Sequence, residues 1–310
     1  MDKISKNRQN CNNITINSDG QRIDNFLIKT IKGVPRSLIY KVIRDGQVRV
    51  NSKRVKPSYK LVLKDVVRIP PISPRIKETS RNEKFLNNID DYIIFENQDF
   101  IVINKPAGLA AHSGTSIKYD IVSSLKKSKN NSEIAPVNRL DKNTSGIMLI
   151  SKNYQSAKDL GNCFKTGKVK KIYTALLSGK LSKNKITIDS ALKSDKRKKN
   201  GSVFVDSSGK HCLSTFRVEK YFSSCTLANV LIQTGRTHQI RVHASSINHP
   251  ICGDTKYGDK LINTEFRKIG LHRIFLHSSY LSFYYKRQYS FKSSLPDDLS
   301  ILIENLENEL

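Results

Sequence analysis

The stretch VNRLDKNTSGIMLIS, residues 137–151, places one carboxylate between an arginine and a lysine and then enters an apolar run. Small polar residues around Thr144 predict a turn, and residues 145–151 are typical of a buried strand. Asp141, at the entrance to that strand, is therefore either an ordinary turn or capping residue or a functional acid. The motifs in the rest of the sequence favour the functional acid.

The composition points to a polyanionic partner. The 310 residues include 54 Lys and Arg but only 27 Asp and Glu, which gives a formal charge of +27. Nucleic acid is the first candidate, and an anionic membrane surface is the competing one. A compositional bias toward Lys, Asn and Ile would raise the same charge without a functional cause, so the distribution of charge matters more than its sum.

Membrane-spanning and secreted classes are disfavoured. No apolar stretch has the length of a spanning helix, and the N-terminal MDKISKNRQNCNN lacks the apolar core of a signal peptide. The five cysteines are odd in number and scattered, so we expect reduced thiols and neither a disulfide framework nor a CxxC metal site. These features predict a cytoplasmic protein that is not bound to a membrane.

A small basic domain is predicted near the N-terminus. Residues 1–20 are polar without periodicity and are predicted to be a disordered tail, whereas residues 21–70 predict two short helices followed by short strands. Residues 21–70 carry 13 basic residues against 3 acidic ones, a net of +10. A solvated face is the ordinary interpretation of a charge run, but this density and one-sidedness favour a phosphate-binding surface. The proposed contacts are Arg22, Arg36, Lys41, Arg44, Arg49, Lys53 and Arg54.

A larger domain is predicted after a linker. Residues 71–86 are polar and begin with prolines, which predicts the linker, and the second domain is expected from 87 to 300. Strands outnumber helices there and do not alternate regularly with them, which predicts an α+β protein whose second domain has a mixed, mainly antiparallel sheet. After two strands near its start, the predicted strands are 145–151, 169–178, 203–205, 213–218, 225–234 and 273–285, with one clear helix at about 154–166.

Three further stretches could carry chemistry together with Asp141. NKPAGLAAHSG, residues 104–114, contains small residues that permit a ligand to approach the backbone, although any tight loop has the same composition. VKKIYTALLSG, residues 169–179, contains Tyr173, whose simplest interpretation is a core ring with a wet hydroxyl. VLIQTGRTHQIRVHASSINHP, residues 230–250, predicts a strand that turns at Gly235 and enters a helix carrying Arg236, His238, Arg241 and His243.

Metal and serine chemistry fit these stretches poorly. His238 and His243 are five residues apart, without an HExxH glutamate or a nearby cysteine pair, so no metal site is predicted. Ser145 does not lie in a GxSxG elbow. One acid, at least one arginine able to pair with it and one aromatic remain. An aspartate paired with an arginine stays ionised and can act as a nucleophile or a base without a second carboxylate.

Four motifs in this order resemble those of one enzyme family. NKPAG, NRLDKNTSG, KKIYTALLSG and TGRTHQIRVH are similar to the signatures of the RluA-type pseudouridine synthases, and the N-terminal segment resembles the S4 RNA-binding domain of many members. The resemblance covers about residues 20–285 and is strongest to members that act on the large ribosomal subunit. It implies a monomer that flips uridines of large-subunit (23S) ribosomal RNA and isomerises them to pseudouridine, with no metal, nucleotide or redox cofactor.

The resemblance also implies a role for individual residues. Asp141 matches the essential aspartate of the family, and Arg236 matches the arginine that pairs with it. Tyr173 matches the tyrosine that stacks on the flipped base and can serve in proton transfer. Arg139 matches an arginine that helps displace the target nucleotide, and Ile240 matches an aliphatic wall beside the base. These five residues are the predicted site.

One position departs from the family pattern. Asn138 stands where the family usually has histidine, so any role for a titrating imidazole at this position is absent or dispensable. The neighbouring Arg139 and Asp141 are intact.

Three functions compete for this sequence: an isomerase, a non-catalytic ribosome-assembly factor that kept the fold, and a base-releasing glycosylase. The intact Asp141, Tyr173 and Arg236 argue against the assembly factor. The lack of a second candidate carboxylate or a water-activating group argues against the glycosylase. The isomerase is the favoured hypothesis.

Overall fold

The computed structural model describes residues 12–31, 34, 36–71, 88–112, 120–195 and 201–308. The chain forms two compact units, Met1–Ser80 and Arg81–Leu310. Of the predicted linker, residues 72–86 lie outside the described residues.

The N-terminal unit packs two helices on a small antiparallel sheet. Helices α1 (Ile23–Thr30) and α2 (Arg36–Arg44) accompany strands β1 (Asn12–Thr15), β2 (Arg49–Val50) and β3 (Val66–Ile69), with the strand order β1-β3-β2. The prediction of a disordered tail was wrong for residues 12–15, because the backbone of β1 pairs with β3 although its side chains are mostly exposed.

The apolar pattern of the N-terminal unit explains its helices. Ile23, Leu27 and Ile39 are completely buried in one cluster, as the helical spacing predicted. Burying each such side chain contributes roughly 1.5–3 kcal/mol, so the apolar stripes hold the helices on the sheet and leave their basic residues outside.

The C-terminal unit is dominated by one sheet of 11 strands. Its strands are β4 (Ile93–Glu96), β5 (Phe100–Lys105), β6 (Ala135–Pro136), β7 (Ser145–Ser151), β8 (Val169–Ser178), β9 (Lys185–Asp195), β10 (Ser202–Val205), β11 (Lys210–Tyr221), β12 (Cys225–Ile232), β13 (Leu276–Tyr285) and β14 (Arg287–Lys292). Its helices are α3 (Ile121–Ser128), α4 (Tyr154–Lys165), α5 (Gln239–Ser246), α6 (Lys260–Lys268) and α7 (Asp297–Asn308).

The strand order is β10-β9-β11-β12-β8-β13-β7-β5-β4, with β14 beside β13 and β6 beside β7. Strands β7 and β13 are parallel, and the other neighbouring pairs are antiparallel. The predicted α+β class with a mixed, mainly antiparallel sheet is confirmed. Helix α7 continues to Asn308 because Leu299, Leu302 and Leu306 pack into the core, so the unit extends past residue 300.

Strands β7 and β13 approach closely at Gly146, which belongs to the TSG part of the opening stretch. A Cβ at this position would lie 2.3 Å from the carbonyl oxygen of Ser278, and the backbone has φ +108°. Only glycine fits both requirements. This contact fixes the start of β7 and therefore the position of the loop that precedes it.

Candidate active site

Asp141 lies in the loop between β6 and β7, at the mouth of a cleft. A backbone hydrogen bond from Thr144 N to Asp141 O, 3.1 Å long, closes a turn, as the small polar residues predicted. The carboxylate is 29% exposed, so it is held by the protein and still open to a ligand. Asp141 therefore lies in the predicted turn with its carboxylate accessible.

The NKPAG loop is bound to the Asp141 loop by a buried lysine. Lys105 is completely buried, and its Nζ donates to the carbonyl oxygens of Pro106 (2.9 Å), Leu109 (2.9 Å) and Lys142 (3.1 Å). Gly108 N donates to the same Lys142 carbonyl at 2.8 Å. Burial, followed by the charge of Arg273, lowers the pKa of Lys105 to about 7. The loop thus positions the backbone next to Asp141.

The arginine that pairs with Asp141 is Arg241. Its Nη1 donates to Asp141 Oδ2 at 2.8 Å, while Nε and Nη2 donate to Asp254 Oδ2 and Oδ1, each at 2.8 Å. The Asp254 side chain has no exposed surface, and that of Arg241 is 13% exposed. Burial opposes ionisation of Asp254, but the hydrogen bonds and charge of Arg241 lower its pKa overall. One guanidinium thus joins two carboxylates.

The expected pairing of Asp141 with Arg236 was wrong. The predicted helix starts later than the sequence suggested, at Gln239, so Arg236 lies in the exposed turn before it, whereas Arg241 falls in the first turn of α5. Among the described residues Arg236 takes part in no ion pair, and its backbone N–H donates to Gln239 Oε1. Arg241 belongs to the same TGRTHQIRVH motif. Its position in a helix that packs against the core is the signal that could have identified it as the partner of Asp141.

The remaining predicted residues line the cleft beside Asp141. Tyr173 (7% exposed) and Ile240 (5% exposed) form apolar walls of a recess of about 70 Å³, which Arg139 and Arg236 also line. Burial raises the pKa of Tyr173 to about 12, so its hydroxyl is protonated at neutral pH. The structure therefore brings together all five predicted site residues.

Asp141 also lines a wider cleft of about 370 Å³. It is lined by Arg139, His238, Arg241 and Asp254, among others. Asp141 lines both spaces, so its carboxylate can be reached from each of them.

His238 was predicted on the helix but lies immediately before it, in the left-handed region with φ 56° and ψ 18°. Its Nδ1 is 2.8 Å from Tyr257 Oη, and its Nε2 is 3.7 Å from Asp141 Oδ2. A non-glycine residue in this conformation is held there by its surroundings. Sequence reasoning examined His238 only as a metal ligand and missed Tyr257 and Asp254.

Asn138 has a backbone-supporting role in the structure. Its Oδ1 accepts a hydrogen bond of 2.7 Å from Leu149 N, which ties the segment before Asp141 to β7. The side-chain amide of Asn138 therefore helps to fix the position of the loop that carries Asp141.

Metal and membrane features are absent from the part of the chain that the structure describes. No cluster of three or more His, Cys, Asp or Glu side chains is placed to hold a metal ion there. Within the same residues, no helix has the length and apolar character needed to cross a bilayer.

Comparison with known proteins identifies the family. A family model described as RNA pseudouridylate synthase matches residues 99–246, and an S4 domain model matches residues 21–67. The ribosomal large subunit pseudouridine synthase C of Haemophilus influenzae is 37% identical over 303 residues, covering 94% of this chain and 94% of its own. The protein of the same name from Buchnera aphidicola subsp. Baizongia pistaciae is 39% identical over 285 residues, covering 89% and 90%. The chain belongs to the RNA pseudouridylate synthase family.

Solved structures support the fold of this RNA pseudouridylate synthase. Human RNA Pseudouridylate Synthase Domain Containing 4 superposes with a TM-score of 0.60 at 22% identity, covering 74% of this chain and 98% of its own. Human RNA Pseudouridylate Synthase Domain Containing 1 gives 0.56 at 24% identity, covering 69% and 94%. The family resemblance and the N-terminal S4 domain predicted from the sequence are confirmed.

The S4 domain of this synthase presents a set of exposed cations. Arg36, Lys41, Arg44, Lys53 and Arg54 are exposed, and none of them pairs with a carboxylate within the described residues. Two other predicted contacts are engaged within the domain. Arg22 pairs with buried Asp24 at 2.7 Å, and Arg49 donates to the carbonyls of Gly46 and Ser52. The five exposed residues are hereafter called the S4 basic face.

Proposed function

We propose that this protein isomerises specific uridines of large-subunit (23S) ribosomal RNA to pseudouridine, with Asp141 as the catalytic carboxylate. One observation carries the assignment of Asp141. Among the described residues, the side chains of Arg241 and His238 lie near Oδ2, and none donates a hydrogen bond to Oδ1. One oxygen is fixed by the protein, and the other is available to a substrate in the cleft.

The chemistry follows from a carboxylate that is paired with an arginine and open to a ligand. Breaking the bond between ribose C1′ and uracil N1 requires a group that attacks C1′ or accepts a ribose proton, and Oδ1 of Asp141 can act in either way. The free base then turns in the recess and joins C1′ through C5. The C5 hydrogen leaves as a proton and N1 gains one, so the mass of the RNA is unchanged. No cofactor is needed to balance the reaction.

The walls of the recess suit an extruded pyrimidine. Tyr173 contributes an aromatic ring and Ile240 an aliphatic side chain to the lining. A base that leaves its stack can regain part of the lost stacking energy, a few kcal/mol, against such side chains. Arg139 and Arg236 are exposed at the rim with no ion-pair partner among the described residues. Their guanidinium groups can hold phosphates or fill the space that the base vacates.

A path for the flanking RNA continues from the rim. Arg236 also lines a broad cleft of about 860 Å³, together with Lys193, Lys210 and the partly exposed ring of Phe204. Cations combined with an aromatic ring are typical of surfaces that bind single-stranded RNA. The S4 basic face would add further phosphate contacts.

Ribosomal RNA as the substrate places the protein in the cytoplasm. The names of the relatives support the large subunit as the source of that RNA. The five predicted site residues lie together in one unit of the chain, which supports a monomer as the active form.

The test is a carbodiimide-based map of pseudouridine in cellular RNA with and without this protein. We expect individual sites in large-subunit rRNA to disappear without the protein and to return when wild-type protein is supplied. The Asp141→Asn variant should not restore them. Sites that disappear only from tRNA would contradict the substrate assignment, and restoration by Asp141→Asn would contradict the assignment of the carboxylate.

A further inference from the structure

The hydroxyl of Tyr257 determines which nitrogen of His238 carries the proton. Val203 N, on β10, donates to Tyr257 Oη at 3.0 Å, so the oxygen already serves as an acceptor. Tyr257 Oη lies 2.8 Å from His238 Nδ1. The hydroxyl hydrogen is best used in a bond to Nδ1, since no other described side chain accepts it. Nδ1 is then unprotonated, and the neutral ring carries its hydrogen on Nε2.

The Nε2–H group of this tautomer faces the catalytic carboxylate. Nε2 lies 3.7 Å from Asp141 Oδ2, the oxygen already bonded to Arg241. At this separation the N–H dipole attracts Oδ2, and a small movement would complete a hydrogen bond. The opposite tautomer would present a nitrogen lone pair to the carboxylate and repel it.

We infer that His238 is a positioning residue, which Tyr257 holds as the neutral Nε2–H tautomer so that it helps fix Asp141 Oδ2 and leaves Oδ1 to the substrate. The catalytic consequence rests on the proposed function, but the tautomer itself does not.

The charges around His238 explain why a neutral ring matters. Arg241 on α5 and Lys256 in the following loop are cations near the ring, and Asp141 and Asp254 are the anions near it. Burial, together with both cations, lowers the pKa of His238, while the two carboxylates raise it, and the pKa falls overall. A charged imidazole would place a further cation beside Asp141 and weaken it as a nucleophile or base. Charging the ring would also force Tyr257 to stop donating to Nδ1.

The variant Tyr257→Phe removes the hydroxyl and keeps the ring, so it tests the hydroxyl alone. The ring of Tyr257 packs under the Arg241 guanidinium, with 5.1 Å from Cζ to the ring centre, and phenylalanine keeps that packing. Tyr221→Phe is the matched control, because the Tyr221 hydroxyl also bonds to the protein, at Leu181 O and Asn184 Oδ1, away from the cleft.

The first measurement is ¹⁵N NMR of the histidine rings in the full-length protein without RNA. We expect the wild type and Tyr221→Phe to show His238 with an unprotonated Nδ1 and a protonated Nε2 from about pH 6.5 to 8. Tyr257→Phe should show both tautomers and a midpoint of titration closer to the ordinary value of about 6.5. A protonated Nδ1 in the neutral wild-type ring, or an unchanged tautomer in Tyr257→Phe, would overturn the inference.

The second measurement is the single-turnover rate of isomerisation against pH. One hydrogen bond corresponds to roughly a two- to tenfold change in rate, so Tyr257→Phe should be slower by about that factor at pH 6 and recover toward pH 8. Its RNA affinity should not change. His238→Asn keeps a residue type tolerated in the left-handed region and should be slower at every pH. A Tyr257→Phe rate parallel to that of the wild type across pH would overturn the positioning role. An inactive wild type would contradict the proposed function and leave the NMR result intact.

Discussion

The ion-pair cluster at the centre of the site predicts which arginine matters for both stability and activity. Arg241 holds Asp141 with one nitrogen and Asp254 with two others, each at 2.8 Å. In Arg241→Ala the completely buried Asp254 loses the guanidinium that pairs with both of its oxygens. Removing one partner of a buried pair costs about 3–5 kcal/mol because the other charge is left uncompensated. Asp254 keeps backbone bonds from Lys256 and Tyr257, so we expect the lower part of that range.

Arg236→Ala is the matched control, since Arg236 is exposed, comes from the same motif and has no ion-pair partner among the described residues. Its effect on the free energy of unfolding should stay within about 0.5 kcal/mol. Urea unfolding followed by circular dichroism measures both variants, because the chain has no tryptophan for a fluorescence signal. Arg241→Ala should also release Asp141 and reduce the single-turnover rate strongly.

A double-mutant cycle identifies the origin of the cost. If the unpaired carboxylate of Asp254 causes the instability, Arg241→Ala should cost at least about 1 kcal/mol less in an Asp254→Asn background. Equal costs in the two backgrounds, or an Arg236→Ala variant as unstable as Arg241→Ala, would refute this account of the cluster.

Three other substitutions test separate parts of the structure. In Asn138→His a neutral ring nitrogen can still accept the hydrogen bond from Leu149 N, so the single-turnover rate should change by tenfold at most, without a new pH dependence. A large gain in rate that titrates near pH 6–7 would show that this position carries a proton in the reaction. Burial lowers the pKa of His277 to about 4. As the pH falls, the unfolded chain therefore binds the proton on His277 before the folded protein does. The free energy of unfolding should fall by roughly 3 kcal/mol as the pH drops from about 6.5 to 4, and His277→Gln should flatten this decline. Parallel curves of unfolding free energy against pH for the two proteins would refute the assignment to His277. Replacing Lys41, Arg44 and Lys53 by glutamine should weaken RNA binding and reduce the slope of log affinity against log salt by up to about 2–3; an unchanged slope would make the S4 basic face a solvated surface.

The sequence contained the motifs of the site but not their exact geometry. The family resemblance of their motifs implied that Tyr173 and Ile240 lie beside Asp141, as they do in the structure. The partner of Asp141 could not be read from the same motif, because two arginines five residues apart differ only by where α5 begins, which the turn before Gln239 determines. Asp254 and Tyr257 lie in a loop without any pattern, and only the tertiary fold brings them to the site.

Weakly apolar elements were the other part that the sequence did not reveal. The 11-residue strand β9 was missed because most of its side chains are at least partly exposed, and its backbone is held by pairing with β10 and β11. Strand β1 has the same character. A strand that is stabilised by its neighbours more than by its own apolar face leaves little periodic signal.

The most direct test of the account uses large-subunit rRNA labelled with tritium at C5 of its uridines. Isomerisation releases that hydrogen to solvent, so tritium release measures the reaction itself under single-turnover conditions. Asp141→Asn should bind this RNA about as tightly as the wild type does, because a carboxylate contributes little to affinity for a polyanion. It should release no tritium above background, whereas the wild type should release one equivalent for each modified site. Release by Asp141→Asn at a rate within about tenfold of the wild-type rate would contradict the central role of Asp141.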